Sequence, residues 1–367
     1  MNIIAWSAVS AYGRTAADFV QGVREDATGH RPAPLPGGEH ARVVPDFDAR
    51  LLLGKKGTRY MNRVTALAVT TVGAAMADLD AAHDPAATGL VLGTTTGSVQ
   101  SMMEFTHASL TGNRPYDVEP SVIPNSVMNC AAARCAIWHD LRGPNTTLAA
   151  GRPAGILALA YARRLLRAGR ARTVLCGGAE EWTPDRAWLH ERSLGVPTTE
   201  ASEAGSRAAT QVADVRTAPL GEGASVVCVT SAPTARPLAT VRAVRSTAVP
   251  SPASVERVLS EVVRDVLADA GLDSADVWGV ARSGLDDDEA NAVAALLPRQ
   301  AAERLPAVGT FLGDTGAAAA SLQIAAALAL AGPGADRDRH LLVTSTDPQG
   351  VAAAALLTVH PSSQESR

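Results

Sequence analysis

Residues 149–155 (Ala-Ala-Gly-Arg-Pro-Ala-Gly) form a small-residue turn at the start of a helix predicted at 154–168. A turn at a helix N-terminus suits a nucleophile, because the helix dipole lowers the pKa of a thiol there and makes thiolate available. This turn contains no Ser, Thr or Cys, and its one functional side chain is the guanidinium of Arg152. Because arginine stays protonated and cannot attack an acyl group, the turn excludes acyl transfer through a nucleophile of its own.

Other polar residues give weaker indications of a catalytic or metal site. Asp314 lies in a second small-residue turn, Gly-Asp-Thr-Gly at 313–316, before a helix predicted at 317–331. The acidic run at 286–289 is interpreted as solvated N-terminal capping charge rather than a metal site. His107 and His139 fall in predicted helices, where lone imidazoles are interpreted as packing or surface groups. We expect no metal and no cofactor. The cysteines lie in apolar segments without CxxC spacing and are predicted to be reduced and buried: Cys130, Cys135, Cys176 and Cys228.

Composition predicts an α/β protein. Of the 367 residues, 46% are apolar and 4% aromatic, which allows a large core with close helix-on-sheet packing of small side chains. The net charge of -4, without a Lys/Arg-rich run, gives no indication of binding to nucleic acid or an anionic membrane. No long uncharged apolar stretch and no signal-peptide pattern occurs, so we expect a cytoplasmic protein. Pro, Gly and charge cluster at 25–50, which predicts a surface loop.

Two segments repeat the same order of predicted elements. The first has strand 146–148, the turn, helix 154–168, and strands 172–176 and 223–230. The second has an extended segment at 306–308, the turn at 313–316, helix 317–331, and strands 340–344 and 351–359. We interpret these as tandem halves, 1–232 and 233–367, joined in a cluster of Ser, Ala and Pro. A generic doubly wound domain is the alternative that periodicity leaves open.

Five short motifs, in their order and spacing, resemble those of the β-ketoacyl synthase family over nearly the whole chain. They are Gly-Thr-Thr-Thr-Gly at 93–97, Ile-Pro-Asn-Ser-Val-Met-Asn-Cys-Ala-Ala at 123–132, Leu-Arg-Gly-Pro-Asn at 141–145, Gly-Gly-Ala-Glu at 177–180 and Gly-Glu-Gly-Ala at 221–224. The resemblance implies a thiolase-type α/β fold, in which duplicated βα-rich halves form a five-layered αβαβα core.

The resemblance also implies which positions would be catalytic, and all three are changed. The cysteine position of the family falls on Arg152, counted forward from the motif at 141–145. One catalytic histidine, in a Gly-His-x-x-Gly-Ala-Ala pattern, falls on Asp314, and the other falls nearest to Arg282 in a shortened loop. The histidines of the family stabilise a developing oxyanion, which an aspartate would repel. We therefore predict that this chain is itself catalytically inactive.

The positions of Arg152 and Asp314 face each other in the family. A buried arginine needs a partner, so we expect the two side chains to form a buried ion pair that fills the vacated site. The alternative is that Arg152 reaches solvent or a dimer seam.

A ketosynthase relative without these groups resembles the chain-length factor, or KSβ, of type II polyketide synthases. The resemblance implies a heterodimer with a catalytic ketosynthase (KSα), reached by an acyl carrier protein, in which this chain limits the growth of the polyketide in a tunnel at the interface. Known members carry glutamine where this chain has Arg152, so a role in decarboxylative priming is not expected. Candidate tunnel or gate residues are Val99, Met102, Met103, Phe105, Val122, Ile123 and Met128.

Two other functions stay open at this point. One is an active acyltransferase or condensing enzyme with an atypical site, which Arg152 and Asp314 argue against. The other is a stand-alone binding protein that uses the thiolase-type cavity, and an obligate partner with an intact cysteine would distinguish it from a chain-length factor.

Overall fold

The computed structural model describes residues 1–29, 41–79, 84–193, 218–234, 237–332, 335–347 and 350–361. The elements of the first half are β1 (Asn2–Ser10), α1 (Ala16–Thr28), β2 (Ala41–Arg42), α2 (Ala49–Leu53), α3 (Arg63–Ala77), β3 (Thr88–Thr94), α4 (Val99–Thr111), α5 (Cys130–Trp138), β4 (Asn145–Ala149), α6 (Ala154–Arg167), β5 (Thr173–Glu180), α7 (Pro184–Ser193), β6 (Leu220–Gly221) and β7 (Gly223–Thr230). Those of the second half are β8 (Ala239–Ala248), α8 (Val255–Ala270), β9 (Val277–Ala281), α9 (Asp287–Leu296), α10 (Arg299–Ala302), α11 (Val308–Leu312), α12 (Ala319–Ala331), β10 (Arg339–Asp347) and β11 (Val351–Val359).

Nine of these strands form one sheet in the order β4-β3-β5-β7-β1-β8-β11-β10-β9. In the first half β3 and β5 are parallel and β7 is antiparallel to both β5 and β1. In the second half β9 and β10 are parallel and β11 is antiparallel to both β10 and β8. The order β3-β5-β7-β1 therefore recurs as β9-β10-β11-β8, as expected for a duplicated unit. Only Asn2 and Ile3 of β1 pair with β8, so the strands of the two halves are continuous only at this short pairing, and we call them the first and the second sheet.

Helices α6 and α12 form the central layer. One hydrophobic cluster joins them to strands of both halves of the sheet. A second cluster packs α3 and α5 on the outer face of the first half, and a third packs α8 and α9 on the outer face of the second. The fold is thus the five-layered αβαβα arrangement of thiolase-type proteins. Helix α12 is apolar on every side, which suits a helix covered by both sheets.

Two local predictions are wrong. The loop predicted at 25–50 contains the end of α1 and the start of α2, while residues 30–40 of that prediction lie outside the described residues. The segment at 306–308 does not form the strand that the repeated order implies: Ala307 is extended, but the short helix α11 begins at Val308, so the second half has a helix where the first has β4. Within the described residues, no helix combines the length and apolar content that crossing a bilayer requires.

Candidate functional site

The turn before α6 is held by the second half of the chain. Gly151 has a φ of 54°, and a Cβ at this position would overlap the carboxylate of Asp347, so only glycine fits. The backbone N–H of Arg152 donates a hydrogen bond to Oδ2 of Asp347 (3.0 Å), and its carbonyl oxygen accepts one from the N–H of Ala320 (3.3 Å). The turn is therefore fixed between the end of β10 and the start of α12.

The turn that carries Asp314 is fixed equally firmly. The N–H of Asp314 donates to the carbonyl of Pro219 (2.8 Å), and its carbonyl accepts from the N–H of Gly221 (2.9 Å). The same carbonyl accepts from Nη2 of Arg186 (3.1 Å), and side-chain Oδ1 accepts from the N–H of Gly316 (2.9 Å). The side chain is thereby aimed at the turn before α6.

Arg152 and Asp314 form the predicted ion pair. Nη2 and Nε of Arg152 lie 2.7 and 3.2 Å from Oδ2 of Asp314. The side chains are only 14% and 12% exposed. The alternative in which Arg152 points to solvent is therefore wrong. Because Arg152 precedes α6 and Asp314 precedes α12, the pair joins the starts of the two central helices.

The electrostatics of the pair favour both charged forms. Burial opposes ionisation of Asp314, but the charge and hydrogen bond of Arg152, with the charge of Arg186, lower its pKa to about 2. Burial likewise opposes the charge on Arg152, but the carboxylates of Asp314, Asp347 and Asp286 together raise its pKa. The pair is consequently ionised on both sides across the physiological range.

Buried carboxylates from two of the sequence motifs frame this site. Glu180, at the end of β5, accepts hydrogen bonds from the hydroxyl of Thr95 and from the N–H of Ala317 (3.1 Å). Glu222, in the turn between β6 and β7, forms an ion pair with Arg63. These motifs therefore tie the turns near the site to the helices and strands around them.

Comparisons with known proteins agree with this arrangement. A sequence model described as the β-ketoacyl synthase N-terminal domain matches residues 3–235. A solved structure titled the ishigamide ketosynthase/chain length factor is 37% identical, covers 98% of this chain and 99% of its own, and superposes with a TM-score of 0.82. This chain belongs to the β-ketoacyl synthase family.

Curated relatives match over shorter stretches. The 3-oxoacyl-[acyl-carrier-protein] synthase 2 of Vibrio harveyi is 28% identical over 144 residues, which are 38% of this chain and 34% of that protein. The protein of the same name from Synechocystis sp. is 30% identical over 185 residues, 47% of this chain and 43% of that protein. The matched stretch is thus less than half the length of either relative.

The third position predicted from the family, Arg282, is not part of the ion pair. Its side chain is half-buried, and its Nε is buried without a hydrogen-bond partner among the described residues.

The neighbouring acidic run at 286–289 is only partly capping charge. Asp286 accepts from the N–H of Asp288 at the start of α9 (2.9 Å), but Glu289 is fully buried and accepts from Thr344 Oγ1 (2.7 Å). The interpretation of the whole run as solvated is wrong, because Glu289 faces the second sheet.

Sequence reasoning missed three residues at this ketosynthase-like site. Asp347 and Arg186 bond to the two turns, as described above, and His190 of α7 lies close enough to be influenced by Asp314. Burial lowers the pKa of His190, and the charges of Arg186 and Arg152 add to this effect while Asp314 opposes it. No sequence signal marks these residues, because they come from segments far apart in the chain.

The two lone histidines of the predicted helices lie away from the ion pair's hydrogen bonds. His107 is exposed, and His139 contacts the carbonyl of Val69.

The candidate gate residues divide by exposure. Val99 is buried (3% exposed) and packs inside this chain. Met103, Phe105 and Val122 are half-buried, and Met102, Ile123 and Met128 are exposed. Val127, between α4 and α5, and Ile137, near the end of α5, are also exposed. We call Met102, Ile123, Val127, Met128 and Ile137 the apolar face; it adjoins β4, the end strand of the sheet.

The turn before α6 has no Ser, Thr or Cys that could act as a nucleophile. It presents a guanidinium that is already paired with Asp314. The backbone N–H of Arg152, which could stabilise an oxyanion at a helix N-terminus, already donates to Asp347. The turn therefore lacks a nucleophile, and the backbone N–H that could bind an oxyanion is already hydrogen-bonded.

Proposed function

We propose that this chain is the non-catalytic chain-length factor of a type II polyketide synthase and forms a heterodimer with a catalytic ketosynthase, KSα. The observation that carries the proposal is the buried Arg152–Asp314 pair, which fills the position where the family places its nucleophile and a catalytic histidine. KSα would supply the cysteine and histidines for decarboxylative Claisen condensation, and an acyl carrier protein would deliver the substrate to the complex in the cytoplasm.

The apolar face supports a partner of this kind. Ile137 is 74% exposed and Val127 is 48% exposed, so a row of large apolar side chains meets water in the isolated chain. The adjacent strand β4 pairs on one side with β3 and is the last strand of the sheet at that end. An end strand beside an apolar face is suited to burial against a second protein of the same fold. The solved relative titled ketosynthase/chain length factor favours a ketosynthase as that protein.

The chain would set product length by steric exclusion. We propose that the residues on α4 and on the segment before α5 line a tunnel shared with KSα. Met102, Ile123 and Met128 reach the surface that would face the partner, while Met103, Phe105 and Val122 are half-buried behind it. Val99 would support the wall from inside. A steric limit of this kind needs large side chains at a given position along the tunnel and no ionisable group. It therefore agrees with a turn that has no nucleophile.

The test is co-expression with a cognate KSα, followed by size-exclusion chromatography and mass spectrometry of the products. We expect a 1:1 complex that makes polyketide only when both subunits are present. Met102→Ala and Phe105→Ala are expected to lengthen the product. Leu110→Ala is the matched control, because Leu110 lies on the same helix and is 79% exposed.

Three results would refute this function. The first is a chain that condenses malonyl units alone. The second is a chain that forms a stable homodimer and binds no ketosynthase. The third is a product length unchanged in every variant of α4 and of residues 122–128, which would remove the role in length control while leaving the heterodimer intact.

A further inference from the structure

Four arginines line an open cleft at the opposite end of α6 from the Arg152 turn. Arg163, Arg164 and Arg167 come from the last part of α6, and Arg245 comes from β8. The cleft has a volume of about 740 Å³, and Asp269 of α8 is the one carboxylate among the described residues on its wall. We propose that this cleft is a binding site for a small molecule that carries a di- or triphosphate group.

The positive charge of the cleft is only partly compensated, because one carboxylate, Asp269, faces four guanidiniums among the described residues that line it. Asp269 forms a two-pronged ion pair with Arg245 (2.7 and 2.9 Å), which leaves three guanidiniums without a carboxylate partner among the described residues. Helix α6 contains no Asp or Glu at all. The whole chain has a net charge of -4, so the cleft is a local reversal of the protein's charge. Like charges that converge without a counterion favour an anionic ligand.

Stabilisation of the helix itself does not explain the cluster. Cations in the last turn of a helix interact well with its dipole, and this accounts for Arg164 and Arg167. It does not account for Arg163, which precedes the last turn and is half-buried, or for Arg245, which belongs to a strand. Burial and the charges of Arg167 and Arg245 lower the pKa of Arg163, and the charge of Asp269 opposes this only in part.

The geometry fits phosphate groups. A guanidinium presents a planar fork of N–H donors that matches two phosphate oxygens. Arg163 and Arg167 are four residues apart on one helix, so their side chains start about 5–6 Å apart on the same face. Two forks from the helix can therefore hold a short phosphate chain, with Arg245 on the opposite wall. A volume of about 740 Å³ is typical of small-molecule sites.

Larger partners fit less well. None of the exposed large apolar side chains lines the cleft, whereas a protein partner would bury several. The net charge of -4 of the whole chain disfavours a long nucleic acid, which would contact more than the cleft. None of the described residues that line the cleft is aromatic, so the cleft offers no ring on which a base could stack. Affinity should therefore depend on the phosphates and little on an attached nucleoside.

Isothermal titration of the full chain, or of its complex with KSα, with sodium tripolyphosphate tests the site. We expect saturable binding at one site, with similar affinity for ATP, and no displacement by sulfate at equal ionic strength. Loss of two charge-assisted contacts in the double variant Arg163→Gln/Arg167→Gln should weaken binding at least about tenfold. The control pair Arg24→Gln/Arg299→Gln removes the same charge elsewhere and should leave the affinity within about twofold.

A variant that is expected to strengthen binding complements those that weaken it. Asp269→Asn removes the carboxylate of the cleft and should tighten binding of tripolyphosphate. The proposal is overturned if tripolyphosphate produces no binding heat, if the control pair weakens binding as much as the cleft pair, or if Asp269→Asn weakens it. Circular dichroism of each variant verifies that the fold is retained. These measurements do not involve condensation, so their failure would leave the chain-length role untouched.

Discussion

Substitution of Asp314 leaves the guanidinium of Arg152 buried without its partner. The pKa of Asp314 lies at about 2 against an ordinary 3.8. At about 1.4 kcal/mol per pKa unit, neutralising this carboxylate removes about 2 kcal/mol of stability, which is the expected effect of Asp314→Asn. Asp314→Ala also removes the acceptor of the Gly316 N–H, and the loss of one partner from a buried pair costs about 3–5 kcal/mol.

The exposed pair Arg245–Asp269 is the matched control. Its side chains are 54% and 39% exposed, and it has two hydrogen bonds of similar length to those of the buried pair. Surface ion pairs contribute about 0–1 kcal/mol, so Asp269→Asn should change stability by less than half as much as Asp314→Asn. Comparing the two variants distinguishes the effect of burial on stability from the effect of an ion pair alone.

A double-mutant cycle completes the test. Arg152→Gln/Asp314→Asn should destabilise less than the sum of its single variants, because the second change removes a charge that the first has left unpaired. The measurement is urea-induced unfolding followed by tryptophan fluorescence, with the subunit context held constant. If Asp314→Asn costs no more than Asp269→Asn, or if the two single effects simply add, the ion pair does not stabilise the turn as argued.

Three further predictions follow from the same contacts. Because the folded pKa of Asp314 is depressed, the stability that it contributes should be complete above its ordinary pKa of 3.8 and lost as pH falls through about 2; the difference in unfolding free energy between the wild type and Asp314→Asn should shrink over that range. Arg152→Cys should not become acylated by an acyl thioester, because Asp314 and Asp347 disfavour a thiolate and Asp347 occupies the backbone N–H; an added acyl mass in intact-protein mass spectrometry would contradict this. Burial raises the pKa of Glu289, so ionisation increasingly destabilises the folded state as pH rises above 4.5; Glu289→Gln should therefore gain stability relative to the wild type with rising pH, and a parallel pH profile would count against it.

Much of the fold is local in origin and was predictable. The alternation and helical spacing of apolar residues predicted α6, α12, β10 and β11 close to their observed bounds. The failure at 306–308 has a local cause. A few apolar residues before a glycine turn fit either a strand or one turn of helix, and only packing against α12 selects α11.

The site could be predicted only in part. Arg152 and Asp314 are identified because the resemblance to the family places its cysteine and one of its histidines at these positions, each in a small-residue turn. Asp347 lies at the end of a strand, where a carboxylate is normally a turn residue, and only the fold brings it to the N–H of Arg152. Glu289 resembles its exposed neighbours in sequence, and its burial follows from tertiary contact with Thr344. Sequence spacing could not distinguish the buried Val99 from the exposed Met102 either.

The two substitutions at the site make physical sense only together. Arginine at 152 opposite a histidine would bury a cation without a carboxylate beside it, and aspartate at 314 opposite a cysteine would bury an anion at the start of α12 without a guanidinium. As a pair, each satisfies the charge that the other introduces, and Asp347 also binds the backbone of the same turn. The buried glutamates around the pair still hold the surrounding segments in place. The ion pair is thus a bonded contact between the starts of α6 and α12, which agrees with the non-catalytic role proposed for this chain.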